Sequence, residues 1–387
     1  MGIRNLYIID TLHLTNIHLK WKLNVHFILV ISIVLGCFAC RKDTGEEELC
    51  LRTLLVYLGR DNNLSGMDED KLGYILQGWN GKDGRLLIFQ DTKQDKPCLL
   101  EVYHINGENQ TRMIAEYENE NSADPQLLRQ VIEETIRLYP AQSYGLIVFS
   151  HASGWLPEGA LVAPRSIIED GKKEMELIDF AAAIPEGLFD FIIFESCFMA
   201  GIEVMYELKD KTEYILASSA ELLSPGFAVT YQTSIDYLFS EEPDLLQFAR
   251  DVFAWIDRQS NVYRSGTISL VKTGELTALG NFIRTADWST GNTDTRGIQY
   301  FDRYAYHLFF DFGDYYRQRT DNEAVASELT RLINECVCYK AATPYFMMKY
   351  GFEIKSHSGL TTYIEQESYP FLNQEYQKLR WYKEVLE

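Results

Sequence analysis

Two residues whose types could do chemistry stand just beyond the ends of apolar runs. Cys197 follows Phe191-Ile192-Ile193-Phe194-Glu195-Ser196, and His151 follows Gly145-Leu146-Ile147-Val148-Phe149-Ser150. An unbroken apolar run reads as a strand buried on both faces, as in a parallel sheet covered by helices. Ligands of such sheets gather beyond the carboxyl ends of the strands. A thiolate there is the nucleophile a cysteine hydrolase needs, and a nearby imidazole can lower its pKa or protonate a leaving amine. Glu195, at the end of the strand before the thiol, could act as a charge selector. Taken singly, Cys197 also fits a buried structural cysteine, and His151 an ordinary strand-end histidine. Together, at one edge of one sheet, they are far more specific. His357, in Ser356-His357-Ser358-Gly359, is a competing partner, although its polar loop gives no comparable placement. The sequence has no Gly-x-Ser-x-Gly elbow, P-loop, His-Glu-x-x-His or Gly-x-Gly-x-x-Gly.

The elements that must position these groups alternate. Strand-like runs cover Thr53–Leu58, Leu86–Gln90, Leu99–Tyr103, Gly145–Phe149, the run before Cys197, Tyr214–Ala217, Thr267–Val271 and Gly359–Ile364. Helical patterns follow Asp124-Pro125, where an N-cap precedes proline at the first helical position. Further helical patterns span Met175–Ile184, Leu245–Ile256, Glu275–Ala286 and Glu323–Cys338, with a loop from about Leu156 to Glu174. Such alternation predicts a three-layer α/β/α sandwich around a mainly parallel central sheet.

Composition narrows the partners. With 36 basic and 56 acidic residues the formal charge is −20, which argues against nucleic acid, whose phosphates need clustered Lys and Arg. Hydrophobic residues make up 46% of the chain, enough for one large core or two smaller ones. Lys20 and Lys22 precede an apolar stretch from Val25 to Ala39 that is short for a membrane span yet suits a signal peptide. Val34-Leu35-Gly36-Cys37 and Cys37-Phe38-Ala39-Cys40 both resemble the bacterial lipobox, with either Cys37 or Cys40 as the lipidated residue. The expected layout is a signal over 1–40, a tether over 41–50 and one domain over 51–387. Within that domain the core spans about 51–240, and a C-terminal subdomain about 241–387. Of seven cysteines, five lie beyond the signal, an odd number that predicts a free thiol in an oxidising compartment. Cys336-x-Cys338 has no nearby histidine, so no metal site is expected there.

Ser150-His151-Ala152-Ser153-Gly154-Trp155 and Phe194-Glu195-Ser196-Cys197-Phe198-Met199-Ala200 together resemble the clostripain family of cysteine peptidases, similar in fold to caspases, gingipains and legumain. The likeness continues through Ile202–Leu208, Ile215–Glu221, Pro225-Gly226 and Tyr376–Tyr382. It implies His151 and Cys197 as the catalytic dyad, the N–H groups of Ala152 and Cys197 as the oxyanion hole, and Glu195 as the floor of a basic P1 pocket. It further implies self-cleavage in the loop between the dyad residues, for which the Arg165–Ser166 bond is best placed. Calcium is a cofactor of some members, although no EF-hand-like loop is visible here. Three positions depart from the pattern: Ala152 replaces glycine, Glu195 replaces aspartate, and Phe227-Ala228-Val229 replaces the usual Gly-Trp. The expected function is an exported, lipid-anchored endopeptidase of the bacterial cell envelope, cleaving polypeptides after Arg or Lys. The alternative is a catalytically impaired surface lipoprotein acting as a binding module.

Overall fold

The computed structural model describes residues 49–59, 68–91, 96–119, 121–160, 167–170, 173–289 and 294–387. The expected signal over 1–40, with Cys37 and Cys40, and the Arg165–Ser166 bond lie outside these residues. From Cys50 to Glu387 the chain is one compact unit.

A nine-stranded sheet forms its centre. Its strands are β1 (Cys50–Leu58), β2 (Gly84–Gln90), β3 (Cys98–Ile105), β4 (Glu108–Glu116) and β5 (Ala141–Phe149). A short hairpin outside the sheet supplies β6 (Ile168–Asp170) and β7 (Lys173–Met175). The sheet continues with β8 (Phe189–Glu195), β9 (Thr212–Ala217) and β10 (Thr267–Lys272). The two-residue β11 (Phe310–Asp311) lies apart from it, and β12 (Val337–Ala342) completes it. The spatial order is β12-β10-β9-β8-β5-β1-β2-β3-β4. The five central strands, β9-β8-β5-β1-β2, are parallel, while β3 and β4 on one flank and β10 and β12 on the other run antiparallel. The parallel character is therefore confined to the middle, where the helices cover both faces.

Alternation along β1 shows this double burial: Leu55 and Tyr57 join one core, and Leu54, Val56 and Leu58 join the other. The second core is closed by α1 (Asp68–Gly78) and by two helices further along the chain. On the first face lie α2 (Pro125–Leu138), α3 (Leu177–Ala183) and α4 (Ile202–Glu207). Helix α2 starts as its sequence predicts, with Asp124 accepting the N–H of Gln126 and Pro125 in the first turn. The two helices that join α1 are α5 (Ala228–Ser234) and α6 (Leu245–Asp257).

Three readings of the sequence change. The helical pattern expected to reach Cys338 ends at Cys336, and the chain switches into β12 at Val337, which leaves Cys338 exposed. The strand expected over Gly359–Ile364 is only Thr361–Thr362, paired with β11. The segment between His151 and Cys197, expected as plain loop, contains the β6–β7 hairpin. All five described cysteines are free thiols. No helix among the described residues is long and apolar enough to cross a membrane.

Candidate active site

The register of two central strands sets the site. In the parallel pairing of β5 with β8, Phe149 lies opposite Glu195, the last residue of each strand. Two residues beyond each end come His151 and Cys197, so equal step counts carry the imidazole and the thiol out at the same sheet edge. Both are partly exposed, and both line one pocket of about 270 Å³ with Glu195, Glu221 and Lys71.

After Cys197 the chain turns sharply. Phe198 adopts φ +60°, a left-handed conformation costing an L-residue about 1–2 kcal/mol. Packing holds it there: its ring stacks on Phe309 at 4.4 Å, and its N–H donates to the Ala220 carbonyl at 3.1 Å. Ala200 N–H donates to Ser218 O, and Thr361 N–H donates to Ala200 O, so the turn is stitched on two sides. The Leu222 N–H points at Cys197 Sγ, 3.2 Å away.

On the His151 side, Ala152 is buried and is not among the described residues with positive φ. Alanine in place of the glycine implied by the family likeness therefore carries no left-handed strain. The glycine that is required is Gly154, with φ +64°, where an added Cβ would stand 2.8 Å from the Phe198 carbonyl oxygen. His357 does not line this pocket. It is half-buried, its Nε2 lies 3.2 Å from Ser219 Oγ, and desolvation pushes its pKa down to about 3. It lines a separate pocket with Asp311 and Lys340, which removes it as the competing partner. His104 meets Asn109 on the exposed β3–β4 hairpin, and His307 pairs with Asp302.

Glu195 departs from the sequence expectation of an acid open to a substrate cation. Its carboxylate is buried and already matched. Oε1 accepts the Phe227 N–H at 2.8 Å, Oε2 accepts the Tyr231 hydroxyl at 2.8 Å, and Lys71 Nζ lies 2.5 Å from Oε1. Burial, then the charge of Glu195, raises the Tyr231 pKa well above its ordinary value and keeps that hydroxyl a donor. Gly226, at φ +65°, leaves room for the carboxylate, since a Cβ there would collide with Oε1. Lys71 comes from α1, an element whose Leu72, Ile75 and Leu76 spacing could have been read as helical in the sequence. Among the described residues no group of three or more His, Cys, Asp or Glu side chains is gathered as a metal site.

A pocket that joins a thiol and an imidazole at the edge of a parallel sheet defines a cysteine-protease scaffold. A sequence profile of the clostripain family matches residues 56–384, and the chain belongs to that family and is a cysteine protease. Among solved structures, an inactive zymogen C11 protease from Parabacteroides distasonis aligns with a TM-score of 0.77 and 32% identity, covering 87% of this chain and 98% of its own. A secreted C11 cysteine protease from Bacteroides thetaiotaomicron, bound to an irreversible peptide inhibitor, aligns with a TM-score of 0.76 and 25% identity over 87% and 98% of the two chains. No curated protein matches.

Proposed function

We propose that this chain is an exported, lipid-anchored endopeptidase whose catalytic pair is Cys197 and His151. The observation that carries the proposal is the opposition of Phe149 and Glu195 in the β5–β8 register, which brings both groups out into one pocket. Cys197 Sγ attacks the scissile carbonyl carbon, and its proton passes through His151 to the leaving amine. The oxyanion is held by the N–H groups of Cys197 and Ala152, which cost no reorganisation because the turn is already fixed. Water, deprotonated by His151, then attacks the thioester and regenerates the thiol. Anchoring is through a lipid on Cys37 or Cys40, which mass spectrometry of the processed N-terminal peptide would reveal. The family likeness supports a preference for Arg or Lys at P1, which cleavage of a P1-varied peptide library would test.

The test is Cys197→Ala and His151→Ala, each measured on a mixed peptide library with folding checked by circular dichroism. Both variants should fold and lose cleavage. A rate above about 1% of wild type in either would overturn the pairing, since nucleophile and base act as a unit.

A further inference from the structure

We infer that a second pocket is a substrate subsite for one large apolar side chain on the acyl side of the scissile bond. Trp255 and Tyr263 are its specificity-determining residues. The inference rests on the peptidase reading above and extends it to a further position of the substrate.

The two pockets share a wall. Leu222, Leu223, Ser224 and Pro225 line both the pocket of Cys197 and a second one of about 200 Å³. The wall begins at the nucleophile, because the Leu222 N–H lies 3.2 Å from Cys197 Sγ. The rest of the second pocket is built by Trp255 of α6, by Tyr263 in the turn Asn261–Tyr263, and by Ser265 just before β10.

Strand order determines which end of a substrate passes there. His151 follows β5 and Cys197 follows β8, while β9 and β10 lie on the other side of β8. A leaving amine must face the imidazole, so the acyl part of the peptide runs away from β5, over the edge formed by β9 and β10. Strand β10 is antiparallel to β9, which puts its start at this same edge. The Ser219 and Ala220 N–H groups, just past β9, accordingly donate to Thr267 Oγ1. Strands about 4.8 Å apart place β10 about 10 Å from β8, and an extended peptide covers that distance in about three residues. The side chain that arrives is therefore at P2, P3 or P4.

The lining selects its chemistry. None of the lining residues among those described carries a charge. The polar ones are turned to the backbone: Gln259 Nε2 donates to the Trp255 carbonyl at 2.8 Å, and Ser265 Oγ to the Val262 carbonyl at 2.7 Å. Leu223, Pro225, Trp255 and Tyr263 leave an apolar and aromatic surface, with Tyr263 65% exposed. An apolar cavity of about 150 Å³ already holds a benzene ring, so a leucine or phenylalanine side chain fits. A charged side chain would lose its water there without meeting an opposite charge.

The experiment is a set of fluorogenic peptides with P1 fixed at the residue that a P1-varied library selects. Ala, Leu, Phe or Asp is placed in turn at P2, P3 and P4, and kcat/KM is measured on wild type, Tyr263→Ala, Trp255→Ala and Trp255→Phe. At one of these positions wild type should prefer Leu or Phe over Ala by about tenfold or more, as burial of one such side chain implies, and should disfavour Asp. Tyr263→Ala and Trp255→Ala should shrink that ratio, and Trp255→Phe, which keeps a ring, should retain it. A flat profile at all three positions in wild type overturns the inference, even if no variant folds. So does a preference left unchanged in both alanine variants when circular dichroism shows them folded. In those outcomes cleavage still disappears in Cys197→Ala. If no peptide is cleaved, or if cleavage survives Cys197→Ala, the peptidase reading falls and the inference with it.

Discussion

Glu203 opens α4, shortly after the Cys197 turn, and is 1% exposed. Its Oε1 accepts the Tyr363 N–H at 2.8 Å and the Thr362 hydroxyl at 3.1 Å. These bonds favour the carboxylate, yet burial outweighs them and raises the pKa from 4.5 to about 7. A group whose folded pKa is raised contributes stability below its unfolded pKa and loses that contribution as pH rises through the folded value. Between pH 4.5 and 7 the folded protein is therefore progressively asked to bury a charge. At about 1.4 kcal/mol per tenfold change in affinity for the proton, Glu203 accounts for at most about 3 kcal/mol of that loss. Stabilities of 5–15 kcal/mol make this readable. The assay is urea unfolding of wild type and Glu203→Gln at pH 5, 6, 7 and 8, followed by tryptophan fluorescence. The amide keeps an acceptor for Tyr363 and carries no charge, so the variant should lose less stability than wild type between pH 5 and 8. Asp91 and Asp311 are also lifted, to about 7 and about 6, chiefly by burial, so some slope should survive. Equal slopes in the two proteins would refute the assignment of a buried, proton-binding carboxyl at this position.

Gly154→Ala should destabilise by about 2 kcal/mol or more, from the left-handed φ and the contact with the Phe198 carbonyl; a change within about 0.5 kcal/mol in urea midpoint analysis would show that the turn is not tight. Tyr231→Phe should cost about 1.5–3 kcal/mol of stability, since it removes a charge-assisted bond to Glu195, and thermal melts of the two proteins would measure it. The bond between Arg165 and Ser166 has a basic residue on its acyl side. Purified wild-type protein should be cut there, yielding a fragment starting at Ser166 on N-terminal sequencing, and Cys197→Ala should stay intact. Wild-type protein cut at that bond, with the cut absent in Cys197→Ala, would show a pocket that accepts a basic P1 residue.

His151, Glu195 and Cys197 were legible because the strands that carry them are buried on both faces and stop abruptly. An apolar run ending in a small-residue turn is a local signal, and the parallel register turns equal distances along two strands into proximity in space. Lys71 was not legible, for the opposite reason. Its helix could have been read from Leu72, Ile75 and Leu76, yet nothing local says that this lysine meets residue 195. Strand β4 was missed because it is an edge strand with an exposed, polar sequence, Glu108 to Glu116, which offers no apolar alternation. At Cys336–Val337 periodicity misled outright: the helical spacing runs on past Cys336, and pairing with β10 wins over it.

Residues far along the chain complete the turn that carries the thiol. Thr361 N–H donates to Ala200 O, Tyr363 N–H to Glu203, and Arg380 N–H to Glu207. Trp381 is fully buried and meets the Tyr206 ring at 5.3 Å. A chain elongated only through Glu207 already holds His151 and Cys197 but lacks the partners that brace the turn after Cys197. Synthesis order thus works as a timer: the turn that presents Cys197 gains its bracing partners only once residues 361–381 have been made.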